Sequence, residues 1–307
     1  MSAKHNFLSS QIPHLMPLSW VGMLALLLAV ILTSCQSPPT RVGESQKREF
    51  HLVTGKAQKP LAITDETVIL DARSPFDYGL NRVQNSLHLQ WSDLAENPRT
   101  GEILRDRRKL ALRLALNGLR PELPVIVVGY GREGGGEAGR LAWTLLYLGF
   151  RDVQVAGIEV FRKNLTQVPS PPAKNVEPWT LHPREELVIT KEEFAKLALD
   201  PKFRLENRIH MIDVRSDQEY FKQPVRAPGT KGTPDLNLLH IEWKELYSAQ
   251  GRPDTKFREK LIALGVRPED RVIFVSNAGV RAAAAAYALL ALGYTRVQVH
   301  LGSGNAK

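Results

Sequence analysis

The chain contains an internal repeat, and this repeat limits the possible folds more than any other feature of its 307 residues. Short similar segments occur in the same order in both halves, and the spacing between partners changes only between the apolar segments, where loops tolerate insertions. The paired segments are 71–74 with 213–216, 87–94 with 239–246, 125–128 with 272–275, 148–150 with 292–294, and 153–155 with 297–299. The sequence therefore predicts two copies of one structural unit.

Each unit alternates short apolar runs with longer, helix-forming segments. The runs at 125–128 and 272–275 are continuously apolar, as expected for strands that are buried on both faces of a parallel sheet. A glycine-containing turn follows each run, then an apolar helix over 138–148 or 281–292 that ends at a Leu-Gly pair, and then a short strand. This order predicts an α/β fold in which each unit is a mainly parallel sheet with helices on both faces.

The N-terminal segment predicts export and membrane attachment. Lys4 precedes an apolar run over 20–32 that is too short to span a bilayer but typical of a signal peptide. The run leads into Leu-Thr-Ser-Cys at 32–35, which resembles the bacterial lipobox, and Cys35 is the only cysteine in the chain. The resemblance implies cleavage before Cys35, lipidation of its thiol and attachment to the outer membrane facing the periplasm, since Gln36 rather than an aspartate follows. An ordinary secretory signal and a short membrane anchor are the alternatives.

The length is sufficient for two domains that each bury a core. Thr190 and Glu193 predict a capping box on the first helix of the second unit, and the first unit has no room for this helix before its first strand. The predicted boundaries are 1–34 for the signal peptide, 35–60 for the lipidated N-terminus and tether, 61–166 for the first domain, 167–184 for a proline-rich linker and 185–304 for the second domain.

Three ordered segments of each unit resemble those of the rhodanese domain. They are Asp-x-Arg-Ser with a following aromatic residue (Phe76 or Tyr220), His-x-x-Trp-x-x-Leu, and a strand, loop and helix that end in Leu-Gly-Phe or Leu-Gly-Tyr. The arrangement of two such units is similar to that of two-domain sulfurtransferases. The resemblance implies a site in the loop after the central strand, where an active rhodanese has a cysteine that is followed, after four residues, by an arginine.

The corresponding loop of the second unit has the length, the glycine and the arginine of this pattern, but it lacks the thiol. The loop consists of Ser276, Asn277, Ala278, Gly279, Val280 and Arg281, with Ser276 at the cysteine position. A hydroxyl cannot form a persulfide, and it is a weak nucleophile without an adjacent base. Backbone N–H groups at the start of a helix bind anions, so the loop with Arg281 is predicted to bind a small oxyanion. The alternative is that the loop is retained only because the turn folds well.

The loop of the first unit, 131–137, departs further from the family pattern. Gly131 is at the cysteine position and, counted back from the matching helix ends, Glu137 is at the position of Arg281. An acidic residue there opposes anion binding, and the glycines form neither a P-loop nor a dinucleotide-binding motif. We therefore predict no catalytic residue, no cofactor and no metal in either unit.

The remaining polar candidates are interpreted as structural. Strand-end positions support this interpretation for Asp71, Arg73, Asp213 and Arg215. The absence of metal-ligand spacing supports it for His88 and His240. The charged run 105–109 is interpreted as a solvated helix face, with a lipid head-group contact as the alternative. A net charge of +9 is mild for this length, and no basic run carries interleaved aromatic residues, so we do not expect binding to nucleic acid.

These observations predict an envelope lipoprotein with two catalytically inactive rhodanese-like domains that acts as a binding or scaffold module. The predicted partners are the membrane, through lipidated Cys35, and a small oxyanion or an envelope protein. The alternative is an enzyme of the sulfurtransferase family, or a hydrolase, with altered chemistry through Ser276. The missing thiol weighs against sulfur transfer.

Overall fold

The computed structural model describes residues 61–222, 236 and 238–301, and the predicted signal peptide, Cys35 and the tether lie outside these residues. Both repeated halves lie within one compact unit of the chain. The α-helices are α1 (Pro75–Leu80), α2 (Arg107–Leu116), α3 (Glu137–Tyr147), α4 (Lys191–Leu199), α5 (Pro201–Glu206), α6 (Asp217–Lys222), α7 (Thr255–Ala263) and α8 (Val280–Ala291). The strands are β1 (Val68–Asp71), β2 (Arg82–Val83), β3 (Leu87–His88), β4 (Ala95–Asn97), β5 (Glu102–Ile103), β6 (Val125–Gly129), β7 (Val153–Gly157), β8 (Leu165–Thr166), β9 (Val188–Ile189), β10 (Ile209–Asp213), β11 (Leu239–His240), β12 (Arg271–Val275) and β13 (Arg296–His300).

Nine of the described strands form one parallel sheet in each half, and the other four pair antiparallel as β2 with β8 and β4 with β5. The order is β3-β1-β6-β7 in the first sheet and β11-β10-β12-β13-β9 in the second, and all neighbours in both sheets are parallel. Strand β9 and helix α4 precede β10 in the chain, whereas the described residues before β1 form neither element. The structure therefore confirms the predicted α/β fold with mainly parallel sheets, and the first half lacks the additional helix as expected.

The central strands are buried because side chains pack on both of their faces. Val272 and Phe274 of β12 belong to the core that contains α8, whereas Ile273 packs with Phe194 of α4. This alternation follows from the opposite directions of successive side chains in a strand. Strand β6 alternates in the same way, but its second face is covered by a 3-10 helix, Ile158–Asn164, where the second half has an α-helix.

The two longest buried helices end at the predicted glycines. Gly149 after α3 and Gly293 after α8 have φ angles of +97° and +90°, which favour glycine. The N–H of Phe150 donates to the carbonyl of Leu145 at 3.0 Å, which is the hydrogen bond of a Schellman motif. Each chain reversal therefore satisfies carbonyls of the last helical turn.

At the start of α4, the structure has one of the two hydrogen bonds of the predicted capping box. The Thr190 hydroxyl accepts a hydrogen bond from the Glu193 N–H at 3.1 Å. The Glu193 carboxylate is used elsewhere, because Arg271 of β12 donates to it at 2.7 Å. The cap thus also ties α4 to the sheet that it covers.

The two halves meet along α3 and α8, which occupy equivalent positions in the repeat. A Cβ atom on Gly139 of α3 would lie 2.9 Å from the Cα of Ala284 and 2.5 Å from the hydroxyl of Tyr247. Tyr247 donates to the carbonyl of Ala284 at 2.6 Å, and Tyr287 of α8 donates across the junction to the carbonyl of Val153 at 2.9 Å. Small residues thus allow close helix packing, and the buried hydroxyl of Tyr287 hydrogen-bonds across the junction.

Gly139→Ala is expected to lower the free energy of unfolding by about 1–3 kcal/mol, because the added methyl group overpacks a junction of backbone atoms. Chemical denaturation measures the change. Gly79→Ala in α1 is the matched control, since no atom lies within 4 Å of its added Cβ. It is expected to be neutral or to stabilise the protein by up to about 1 kcal/mol. Equal effects at the two glycines would contradict close packing of α3 on α8.

Candidate functional site

The loop predicted to form the site connects β12 with α8. Ser276 follows β12 and is 3% exposed, and Gly279, with φ of +69°, lies at the N-cap of α8. The Ser276 hydroxyl accepts a hydrogen bond from the Ala282 N–H at 3.2 Å. The described partner of this hydroxyl is therefore a backbone amide in the first turn of α8 and not a side chain that could act as a base.

A carboxylate of the chain itself binds Arg281, the residue predicted to bind an anion. One guanidinium nitrogen of Arg281 donates to Glu219 Oε1 at 2.8 Å, and a second nitrogen donates to Oε2. Asn277 donates to Oε1 at 2.8 Å and Ser216 to Oε2 at 2.7 Å. The hydrogen bond from Arg281 contributes most to lowering the pKa of Glu219 to about 2, against the effect of burial. Glu219 thus fastens both ends of the loop to α6, and an external oxyanion would meet an arginine whose charge is already paired.

Glu219 is not identified by any sequence motif of the chain. Its position offers a weak signal, because it lies three residues after Ser216 in the first turn of a short helix, where acidic residues are common. Its pairing with Arg281 joins residues 62 positions apart. Such a contact depends on which strands are neighbours in the sheet.

The aromatic residue that matches Tyr220 in the first half is Tyr78, which corrects the assignment of Phe76. Tyr78 stacks on His88 with ring centroids 4.9 Å apart, and Tyr220 stacks on His240 at 4.2 Å. Phe76 is 73% exposed. Tyr78 of α1 and Tyr220 of α6, and not Phe76, therefore occupy equivalent positions in the two halves.

The strand-end charges and the two histidines hold backbone in place. Arg215 donates to Asp213 at 2.7 Å in a buried pair, and the His240 ring nitrogen Nε2 lies 3.0 Å from the Arg215 carbonyl oxygen. The first half repeats these contacts with Arg73 and Asp71 at 2.8 Å and with His88 and the Arg73 carbonyl at 2.9 Å. These contacts agree with the structural interpretation of all six residues.

The first-half loop binds its own glutamate. A 3-10 turn, Gly131–Glu133, is followed by Gly136, whose φ of +89° places it at the N-cap of α3. The Glu137 carboxylate accepts hydrogen bonds from the Gly135 N–H at 2.8 Å and from the Tyr130 N–H at 3.4 Å. N–H groups that could bind an external anion are therefore bound to a carboxylate of the loop.

The strand register refines the match between the two loops. Asp71 is paired with Val128 and Asp213 with Val275, so Gly129, and not Gly131, lies level with Ser276. Counted from the helix starts, Glu137 corresponds to Val280, because α8 is one residue longer than α3. Neither shift introduces a nucleophile into the first-half loop.

Each loop is covered by a turn of the other half. Gly101, with φ of +69°, approaches the loop of the second half so closely that a Cβ atom would overlap the carbonyl group of Ala278. Gly251, with φ of +67°, approaches the first-half loop, where a Cβ atom would lie 2.8 Å from the Cα of Gly131. The Gly157 N–H donates to the carbonyl of Gln250 at 2.7 Å beside this contact. Both candidate loops therefore lie at the junction of the halves.

A buried arginine that the sequence analysis did not single out also lies at this junction. Arg140 of α3 is 1% exposed, and burial lowers its pKa to about 9. Its guanidinium donates to the Gly101 carbonyl at 2.6 Å and to the Gly279 carbonyl at 3.5 Å. The rings of Trp91 and Trp143 lie 5.5 and 5.3 Å from it. Arg140 thus joins the covering turn to the Ser276 loop, and its sequence signal is a cation within a mostly apolar helix.

The charged run 105–109 is exposed, and Arg107 pairs with Glu185 at 2.9 Å, which agrees with a solvated helix face. Among the described residues, no group of histidine, cysteine and acidic side chains could hold a metal ion. The described helices are also all too short or too polar to cross a membrane.

The comparisons with known proteins agree with this architecture. Residues 192–306 match the family model of the Rhodanese-like domain, which supports the rhodanese family for the second half. No curated protein matches the chain.

Solved structures share the fold. The structure of SseA from Escherichia coli, described as a 3-mercaptopyruvate sulfotransferase with the "Rhodanese" fold, is 19% identical with a TM-score of 0.62, and the match covers 78% of this chain and 92% of SseA. A probable thiosulfate sulfurtransferase is 23% identical with a TM-score of 0.54, covering 79% of this chain and 94% of its own. EanB in complex with hercynine is 17% identical with a TM-score of 0.64, covering 80% of this chain and 62% of EanB. At these identities the similarity establishes the fold.

Proposed function

We propose that the protein is a catalytically inactive member of the rhodanese family that is attached to the bacterial envelope through lipidated Cys35. In this proposal it acts as a binding or scaffold module, and the Ser276 loop binds a small oxyanion or an anionic group of an envelope protein. The observation that carries the proposal is the replacement of the sulfur-transferring thiol by Ser276, whose buried hydroxyl accepts a hydrogen bond from a backbone amide.

The composition of the chain supports the absence of sulfur transfer. Its single cysteine is Cys35, which lies 241 residues before Ser276 and at the predicted lipidation site. A persulfide requires a thiol, and the first-half loop offers only glycines and Glu137 at the equivalent positions. The loop of the second half nevertheless keeps its glycine, its arginine and the start of a buried helix, which are the features that bind anions.

The same geometry limits the expected affinity. The carboxylate of Glu219 already neutralises the charge of Arg281. An external oxyanion therefore has to bind through the N–H groups at the start of α8 and compete with Glu219 for the guanidinium. Because a hydrogen bond to a charged group contributes about 1.5–3 kcal/mol, two such bonds correspond to binding in about the millimolar range.

Sulfate and thiosulfate are expected to raise the midpoint of thermal unfolding of the wild-type protein by about 2 °C or more at saturating concentration, since a ligand that binds only the folded state stabilises it. Arg281→Ala is expected to reduce this increase. Arg258→Ala is the matched control, because it removes the same charge from an exposed site on α7. A full increase in Arg281→Ala would overturn the oxyanion site and leave protein partners as the ligands of the module.

A further inference from the structure

A second pocket, of about 290 Å³, opens at the edge of the second sheet opposite to the Ser276 loop. It lies where β10 begins, whereas Ser276 follows the end of the neighbouring parallel strand β12. Its polar lining comes from α5, from the start of β10 and from the turns before β10 and β12. These polar residues are Arg204, Arg208, His210, Arg267 and Asp270.

The lining carries excess positive charge. Within the described part of the chain, Arg204, Arg208 and Arg267 form no ion pair at 4.0 Å or less. The one lining carboxylate, Asp270, is engaged through Oδ2 by His210 at 3.0 Å and by the Arg267 N–H at 2.9 Å. Burial lowers the pKa of Arg204, and Asp200, which belongs to the neighbouring helix cap, partly offsets this by favouring the charged form. Guanidinium groups in this arrangement are suited to a phosphate group, which they can bind through two donors each.

Two buried polar atoms of the lining residues lack hydrogen-bond partners. Asp270 is 3% exposed, and its Oδ1 has no partner. The Nε of Arg204 is also buried without an acceptor. Buried polar atoms are nearly always hydrogen-bonded, so the Asp270 Oδ1 lacks a donor and the Arg204 Nε lacks an acceptor. A ligand that carries a hydroxyl group beside its phosphate would supply both.

Large apolar side chains surround this basic pocket. Leu205, which lines it, is 83% exposed, and Phe203 and Leu264 on the adjoining segments are 46% and 47% exposed. Binding of free phosphate would not involve contacts with these apolar side chains. Apolar groups beside arginines are typical of surfaces that lie on anionic membranes, where the cations reach the head groups and the apolar groups enter the interface.

We propose that this pocket binds the phosphoglycerol head group of an anionic phospholipid. Arg204, Arg208 and Arg267 bind the phosphate, the Asp270 Oδ1 accepts a hydrogen bond from a glycerol hydroxyl, and Leu205 contacts the acyl region. The site is separate from the Ser276 loop, which lies at the opposite edge of the second sheet. It would hold the second half of the molecule against the membrane surface.

Hydrogen exchange of the full-length protein in vesicles tests this proposal. Segments 200–210 and 262–268 are expected to exchange more slowly, by about tenfold, in phosphatidylcholine vesicles that contain one-fifth phosphatidylglycerol than in vesicles of phosphatidylcholine alone. Arg208→Asn/Arg267→Gln is expected to abolish the difference. Asparagine suits position 208, where φ is +52°. Arg108→Gln/Arg162→Gln, which removes two exposed arginines of the first half, is expected to leave it unchanged.

Calorimetry with soluble probes supplies a second measurement that does not depend on the membrane. Glycerol phosphate is expected to bind the full-length protein in neutral detergent more tightly than inorganic phosphate, and Asp270→Asn is expected to reduce this preference. Arg281→Ala should not affect it, which separates this pocket from the Ser276 loop. Equal exchange in both kinds of vesicle, or equal affinity for the two probes, would overturn the proposal.

Discussion

Ser276→Cys is expected to give the protein measurable transfer of sulfur from thiosulfate to cyanide, from a wild-type rate equal to background. The new thiol would lie at the start of α8, where N–H groups and the helix dipole lower the pKa of a thiol. Its thiolate would take the outer sulfur of thiosulfate and release sulfite, and cyanide would then remove that sulfur as thiocyanate and regenerate the thiolate. The loop length, Gly279 and the fixed orientation of Arg281 are already present.

The assay measures thiocyanate formation by the full-length protein, and Ser276→Ala is the matched control, because it removes the hydroxyl without adding a thiol. Cys35 is retained in both variants, so any background from that residue is the same. A folded Ser276→Cys protein with no activity would contradict the view that the missing thiol alone prevents sulfur transfer. It would point instead to the turn at Gly101, which lies over the loop.

Gly101→Ala is expected to lower the free energy of unfolding by about 2–5 kcal/mol. A residue with a side chain in the left-handed conformation costs about 1–2 kcal/mol, and Gly101 has φ of +69°. Overlap of the new methyl group with the carbonyl group of Ala278 adds about 1–3 kcal/mol, because backbone atoms cannot move aside as a flexible side chain can. Chemical denaturation of the purified variant measures the sum.

Gly265→Ala separates these two contributions. Gly265 has φ of +83°, but no atom lies within 4 Å of a Cβ atom placed on it. This variant is therefore expected to lose only the about 1–2 kcal/mol of backbone strain. Equal destabilisation at positions 101 and 265 would show that the first half does not pack closely against the Ser276 loop.

If Gly101→Ala moves this turn away from the second half, the substitution should also change the conformation of the Ser276 loop. Arg140 donates to the carbonyl of Gly101 and to that of Gly279, so displacement of the turn would disturb the backbone at the start of α8. The Ser276 loop is thus supported by the first half even though all of its own residues belong to the second. This dependence gives the first half a structural role.

Local patterns in the sequence predicted most of the fold. The continuous apolar runs became the central strands β6 and β12, since a strand buried on both faces cannot carry polar side chains. The glycines after α3 and α8 end their helices, because a positive φ favours glycine at that point. Such features depend on a few consecutive residues, so they can be recognised without knowledge of distant neighbours.

The loop chemistry was predictable to the same extent. The absence of a thiol follows from the composition, and the position of Ser276 follows from its distance to the strand before it and the helix after it. The equivalent position in the first half was placed at Gly131 and lies instead at Gly129, because that loop is longer and residue counts shift with insertions. Strand register, which sets such equivalences, is a property of paired backbones.

Contacts between residues that are far apart in the sequence could not be predicted from the sequence. Glu219 pairs with Arg281 because parallel strands β10 and β12 are neighbours and carry their following segments to one edge of the sheet. Arg140 meets the carbonyls of Gly101 and Gly279 because α3 packs on α8. Short-range sequence preferences therefore specify the elements and the missing nucleophile. Whether the loop is closed and its arginine paired depends on how the sheets and the two halves pack, since those contacts join residues that are far apart in the chain.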